Sequence, residues 1–184
     1  MMKMISTKSK YAEKVVAEMK KKFGYKNDLE VPRIKKVVIN SGIGRISKEN
    51  DKIEEVVRSL SEIAGQKVIK TKAKKAISGF KVREGMDVGV AVTLRGKKMW
   101  WFIDRLINVA LPRTRDFQGI GKKSVDSGGN LNIGIKEHMI FPEIIPEKVK
   151  HIFSFQINVV STAKNGEEGI ELFKLLGFPI KPQG

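Results

Sequence analysis

Val88, Val90, Val92 and Leu94 alternate with Gly89, Ala91, Thr93 and Arg95. A period of two puts four aliphatic side chains on one face of a strand and small or polar ones on the other. Such a strand belongs in a sheet packed on one side and open on the other, which constrains the architecture more than any other feature. Phe153, Phe155, Ile157 and Val159 repeat the pattern against Ser154, Gln156, Asn158 and Val160. Ile34–Ile39, Val68-Ile69 and Leu131–Ile135 read as further short strands.

The helices that cover such a sheet are also legible. Val15, Val16, Met19 and Phe23 form an apolar stripe in a helix predicted over 8–23, closed by Gly24. Ile53, Val56, Val57, Leu60, Ile63 and Ala64 line one face of a second helix, with Ser47 as its N-cap and Gly65 at its end. A third runs about 97–110, with Met99, Phe102, Ile103, Leu106, Ile107 and Ala110 inward. One of its two adjacent tryptophans, Trp100 and Trp101, must point off the main apolar face and pack against a neighbour or partner. Asn165 with Glu168 resembles a capping box opening a last helix, Glu167–Leu176. Gly85-Met86 is the strongest hairpin signal. The expectation is one α+β domain spanning 1–184, a mostly antiparallel sheet with helices packed on one face. Residues 112–130 read as a long, mobile loop, because connections beyond about 15 residues are usually functional or mobile.

Charge narrows the function. The 184 residues hold 36 Lys or Arg against 20 Asp or Glu, a net charge of +16. Gln66–Arg83 alone carries seven Lys or Arg and no Asp or Glu, interleaved with Ile69, Ile77, Phe80 and Val82. A folded surface with that excess repels itself, and the usual reason is a polyanion whose counterions it displaces. A merely solvated charged face is the plainer account of the same residues. No run of about 18 apolar residues predicts a membrane span, and the N-terminus has no secretory h-region. There is no cysteine and only two histidines, His138 and His151. Thiolate metal sites and nucleophilic triads therefore have nothing to build on, and no cofactor is expected. A reducing, cytoplasmic setting fits.

One motif invites a different reading. Asn40-Ser-Gly-Ile-Gly44 follows a strand and precedes a helix, as a nucleotide-binding turn would. The third glycine position of that fingerprint is Ser47, and the next strand carries Lys70 and Lys72 where an acid would stand. A strand-to-helix turn using glycine for positive φ accounts for the same residues, and the helix start at Ser47 could hold a phosphate. A phosphate- or nucleotide-handling enzyme using Gly42 and Gly44 stays as the alternative. For RNA, Phe80 can stack on a base, and Asn40, Gln66 and Thr93 can bond base edges or 2′-hydroxyls. Periodicity alone leaves Phe80 open between core and exposed face.

Longer blocks then carry a resemblance. Lys36-Val-Val-Ile-Asn-Ser-Gly-Ile-Gly44, Thr71-Lys-Ala-Lys-Lys-Ala-Ile-Ser-Gly-Phe-Lys-Val-Arg-Glu-Gly85 and Val92-Thr-Leu-Arg-Gly96 occur in order. Asn108-Val-Ala-Leu-Pro-Arg113, Arg115-Asp-Phe117, Gly134-Ile-Lys-Glu-His138 and Phe141-Pro-Glu-Ile144 follow. The whole chain resembles the bacterial-type large-subunit ribosomal protein L-five family, whose members bind 5S rRNA. The resemblance implies a structural, non-enzymatic protein, ribosome-bound in the cytoplasm, on a concave sheet that grips 5S rRNA in the central protuberance. It implies contacts with large-subunit rRNA, P-site tRNA, neighbouring 5S-rRNA-binding proteins and a small-subunit head protein, and no membrane.

Carried over by position, Asn40, Gln66, Phe80 and Thr93 match the family's 5S rRNA contacts, with Lys70, Lys81 and Arg83 beside them. Lys72, Lys74, Lys75 and Ser78 fall in the loop that approaches tRNA. Arg113, Arg115, Lys122 and Lys123 fall in the loop that faces rRNA and the small-subunit head. The chain departs from the family there: Ser124-Val-Asp-Ser-Gly-Gly-Asn-Leu131 stands where members read close to Ser-Phe-Asp-Gly-Arg-Gly-Asn-Tyr. Bridge contacts built on that aromatic and that Arg are not carried over.

Overall fold

The computed structural model describes residues 6–47, 49–80, 82–115 and 117–181, the side chains of Arg45 and Phe80 excepted. Five strands form one antiparallel sheet in the order β2-β3-β1-β5-β4. They are β1 (Ile34–Gly42), β2 (Ile69–Lys72), β3 (Asp87–Leu94), β4 (Leu131–Ile135) and β5 (Phe155–Ser161). The α+β class expected from the alternation is therefore present. The chain divides into two compact units, and β1, β4 and β5 each contribute residues to both.

One unit comprises Met1–Val37, Arg95–Ile133 and Asn158–Gly184. It opens on α1 (Thr7–Lys10), a wider π turn over Tyr11–Val15, and α2 (Val16–Phe23), which ends at Gly24 in the left-handed region. Helix α4 (Gly96–Arg105) likewise runs on through a π turn, Leu106–Ala110. Met99, Phe102, Ile103, Leu106 and Ala110 are buried, as their spacing requires, and Trp101 is exposed. Helix α5 (Gly166–Leu176) starts where Asn165 Oδ1 accepts the Glu168 N–H at 2.9 Å. The expected box closes one residue early, because the Glu168 carboxylate takes the N–H of Lys164 at 2.9 Å.

The segment read as a long, mobile loop at 112–130 holds several local contacts. Ile120 is buried, its N–H bonded to Pro179 O at 2.7 Å and its carbonyl accepting from Lys181 N at 2.9 Å. Val125 is buried and bridges to Leu131, and the Asp126 carboxylate caps the turn by accepting from Asn130 N at 2.8 Å. Gly129 lies so close to Gly169 that a Cβ on residue 169 would sit 2.6 Å from Gly129 Cα. Local contacts of this kind are invisible to periodicity, which is why the stretch reads as loop.

The other unit comprises Val38–Leu94 and Gly134–Ile157. Helix α3 (Asn50–Ala64) packs on β3 and buries Ile53, Val56, Leu60 and Ile63. Fully burying a side chain of that size contributes about 1.5–3 kcal/mol. Ser47 is not its N-cap. It ends a 3-10 turn, Gly44–Ile46, and the helix begins three residues later, with Ile53 N bonded to Glu49 O at 3.2 Å. Phe155, Ile157, Val90, Val92 and Leu94 are buried as predicted. Strand β5 starts at Phe155, and half-buried Phe153 precedes it, stacked at 4.1 Å on the fully buried ring of His138.

Candidate nucleic-acid interface

The interface is assembled by strand alternation in the unit built from Val38–Leu94 and Gly134–Ile157. Along β3, Val90, Val92 and Leu94 face the core, so Gly89, Ala91 and Thr93 take the opposite face. Strand β2 pairs antiparallel with Thr71 opposite Gly89 and Ile69 opposite Ala91. On β1, Ile39 and Ser41 are buried while Asn40 and Gly42 are exposed. Asn40 Oδ1 and Thr71 Oγ1 both lean over Gly89, at 3.6 and 2.6 Å from where its Cβ would be. Asn40, Thr71, Ala91 and Thr93 therefore share one open face with two glycines. Gln66, two residues beyond the end of α3, donates from Nε2 to the backbone carbonyl of Thr93 at 3.3 Å.

A shallow open groove of about 460 Å³ continues the face, lined by Asn40, Gly42, Gly134, Lys136, Ser154 and Gln156. Gly42 and Gly134 have no heavy atom within 4 Å of a built Cβ, so these glycines leave open floor. In the other unit the same alternation exposes polar groups: Asn132 and Asn158 are half-buried, and Asn158 Nδ2 donates to Asn132 Oδ1. The face offers amides, hydroxyls and a lysine, and between Gln66 and Leu94 the only carboxylates are Glu84 and Asp87.

The basic segment leaves the sheet as a long hairpin excursion. Its base is closed by Ala73 N to Met86 O at 2.8 Å and Gly85 N to Ala73 O at 3.0 Å. Nearer the tip Ile77 and Val82 bond each other's backbone at 2.9 and 3.2 Å, and Ser78–Phe80 form a 3-10 turn. Lys72, Lys74, Lys75, Ser78 and Arg83 are all exposed along it. Lys81 lies outside the described residues, and Phe80 is placed by its backbone alone. Lys70 is exposed on edge strand β2 but pairs with Val90, so it does not share the face of Thr71. Arg113, Arg115 and Lys123 are exposed and Lys122 half-buried, all in the unit that does not hold this groove.

Sequence reasoning missed Thr71, Gly89, Gln156 and Lys136. The alternation around Gln156 is readable, but not which strand lies beside it. The nucleotide-turn alternative fails on geometry. Gly42 belongs to β1, neither Gly42 nor Gly44 adopts positive φ, and the helix starts at Asn50.

Elsewhere in this unit, Glu55 and His138 hold the fold together. A cavity of about 300 Å³ between α3 and residues 148–151 is lined by Asp51, Glu54, Glu55, Arg58, Lys148, Lys150 and His151. There Glu55 Oε1 accepts the N–H groups of Lys150 and His151, at 2.8 and 3.4 Å, and so fastens that turn. His138 is fully buried, and its Nδ1 accepts from Phe153 N at 3.5 Å. Burial holds its pKa below the ordinary 6.5, against the pull of Glu55 and of that hydrogen bond. No helix among the described residues is long and apolar enough to cross a membrane.

An open, polar, acid-poor sheet face with a lysine-rich hairpin defines a protein suited to an extended polyanion, and comparison with known proteins is specific. Residues 27–83 match the family profile "Ribosomal protein L5", and residues 87–180 match the profile for the C-terminus of that same ribosomal family. "Large ribosomal subunit protein uL5" of Fervidobacterium nodosum is 52% identical over 179 residues, 97% of each chain. The protein of that name from Kosmotoga olearia is 50% identical over 177 residues, 96% of this chain and 97% of its own. "Large ribosomal subunit protein uL5c" of Mesostigma viride is 49% identical over 174 residues, 95% of each. The chain belongs to the ribosomal protein L5 family. It is a ribosomal protein of the large subunit and not an enzyme.

Proposed function

We propose that the open face carrying Asn40, Thr71, Thr93 and Gln156 binds 5S rRNA and helps fix it in the large subunit. The observation that carries this reading is Gly89. Its missing side chain lets two polar side chains, Asn40 and Thr71, converge over the open face of the sheet. Hydroxyls and amides on a broad face suit the ribose 2′-hydroxyls and shallow minor groove of RNA, and Lys136, Arg83 and the other cations suit its phosphates. Lys70 and Lys81 stay with this site on the family resemblance.

The hairpin with Lys72, Lys74, Lys75 and Ser78 extends from the same strands and is proposed to reach P-site tRNA and large-subunit rRNA. Arg113, Arg115, Lys122 and Lys123 are proposed to serve rRNA or the small-subunit head. Neighbouring 5S-rRNA-binding proteins complete the proposed partners, and the protein works bound to cytoplasmic ribosomes. The test is competition: labelled 5S rRNA bound to the full chain should be displaced by unlabelled 5S rRNA and not by equal masses of duplex RNA or tRNA. Equal displacement by all three would leave a basic protein without a 5S site.

A further inference from the structure

Asn165-Gly166, where α5 begins, is the one Asn-Gly pair in the 184 residues. In such a pair the glycine nitrogen can attack the side-chain amide carbon, and a residue without a Cβ obstructs that rotation least. The fold supplies what the reaction needs. Asn165 is exposed, on extended backbone at φ −143° and ψ 169°. Gly166, as the first helical residue, has no intrahelical acceptor for its N–H, and none of the described residues supplies another. The nucleophile is therefore not tied up. The Glu168 N–H bonds Asn165 Oδ1 at 2.9 Å, which draws electron density from Cγ and steadies the oxygen on which negative charge develops. Capping alone does not require this residue, because serine or aspartate caps as well and carries no labile amide.

The surroundings are tight. Asn165 O accepts from Gly169 N at 3.2 Å and lies 2.8 Å from where a Cβ on Gly129 would be. Asp126 O lies 3.1 Å from where a Cβ on Gly166 would be. The 126–130 turn is thus seated on the peptide that the reaction rebuilds.

We propose that Asn165-Gly166 is a modification site, at which Asn165 converts to aspartate and isoaspartate and the isoaspartate form unseats the 126–130 turn. Hydroxide takes the Gly166 N–H proton, the nitrogen bonds Asn165 Cγ, and Nδ2 leaves as ammonia. Water then opens the cyclic imide. Cleavage of the new bond at Cγ gives aspartate, and cleavage at the main-chain carbonyl carbon gives isoaspartate. The sum is amide plus water going to carboxylate plus ammonium, with no change of oxidation state. Isoaspartate routes the chain through Cβ and Cγ and turns the carbonyl beside Gly129 into a free carboxylate. The proposal does not depend on the 5S reading.

The test incubates the folded full chain in heavy-oxygen water at mildly alkaline pH and maps its peptides by mass. Asn165 should convert before any other asparagine, with heavy oxygen in the product and an isoaspartate fraction that an isoaspartyl methyltransferase labels. Asn165→Ser keeps a cap and should lose both signals, and Gly166→Ala should slow conversion. Lys122 and Lys123 lie in the segment that the 126–130 turn closes. Trypsin should cut after them faster in the converted protein than in Asn165→Asp, which has the ordinary backbone. Conversion of Asn165 only in urea overturns the proposal, as does earlier conversion of another asparagine. Equal trypsin cutting of converted protein and Asn165→Asp overturns the unseating.

Discussion

Thr71 Oγ1 occupies the space over Gly89, 2.6 Å from where any Cβ at that position would lie. Ser41 O at 3.4 Å and Asn40 Oδ1 at 3.6 Å close the same space. Gly89→Ala must therefore push Thr71 or the β1 backbone aside. The expected result is a loss of about 1–3 kcal/mol of stability, the usual range for overpacking, together with weaker 5S rRNA binding. Gly42→Val is the contrasting change. Nothing lies within 4 Å of its Cβ, so the fold should hold while the added side chain stands in the groove and weakens RNA binding. Denaturant melts and filter binding on both variants read the two effects separately.

Phe80 and Phe155 should behave oppositely. Phe80 sits in the Ser78–Phe80 turn of the basic hairpin, whereas Phe155 is buried with its ring 5.9 Å from that of Phe141. Phe80→Ala should weaken binding to 5S rRNA by about 1–3 kcal/mol and lower stability by less than about 1 kcal/mol. Phe155→Ala should cost about 3–5 kcal/mol of stability. If Phe80→Ala unfolds the protein as Phe155→Ala does, Phe80 is core.

The electrostatic share of binding is set by the hairpin and its neighbours. If the 66–83 surface neutralises about five phosphates, log K against log salt should fall with a slope of roughly −3.5 to −4.5. Lys74→Ala with Lys75→Ala should flatten it by up to about two where both touch phosphate. Titrations at several salt concentrations measure this, and a slope near zero would remove the polyanion argument.

Much of this is legible without coordinates. The periods of two and 3.6 locate β3, β5 and the inward faces of α3 and α4, because one-sided burial imposes them directly. The open face is legible residue by residue, through Asn40 and Thr93, but not as a surface. Which strand neighbours which depends on pairing between residues far apart in sequence, and Thr71 meets Gly89 only through that pairing. The family resemblance groups Lys70 with Thr93, and strand parity puts the two on different faces, which only the pairing reveals. Gly42 and Gly44 suggest a turn because glycine permits positive φ, yet the chain runs on as strand and 3-10 turn without using it. The 112–130 segment hides its order in single backbone bonds around Ile120 and Val125.

His138 gives the protein a pH dependence with a definite sign. Its folded-state pKa is held below 6.5, so the unfolded chain binds the proton more readily. The stability it contributes is fully present above pH about 6.5 and is lost as pH falls through the lower folded value. Melting temperature should therefore drop between pH 7 and 5. His138→Asn can keep an acceptor for Phe153 N and removes the titration. It should start less stable at pH 7 and lose less on acidification. An identical pH slope in the two proteins would assign the effect to other groups.

The most direct measurement is the affinity of the Asn40→Ala, Thr93→Ala double variant for 5S rRNA, taken alongside its thermal melt. Both side chains are exposed on the open face, so the melt should match the parent. Losing two hydrogen bonds to RNA, each about 0.5–1.5 kcal/mol, should raise Kd about five- to 150-fold. An unchanged Kd with an unchanged melt would contradict the account, because 5S rRNA would then not lie on this face of the sheet.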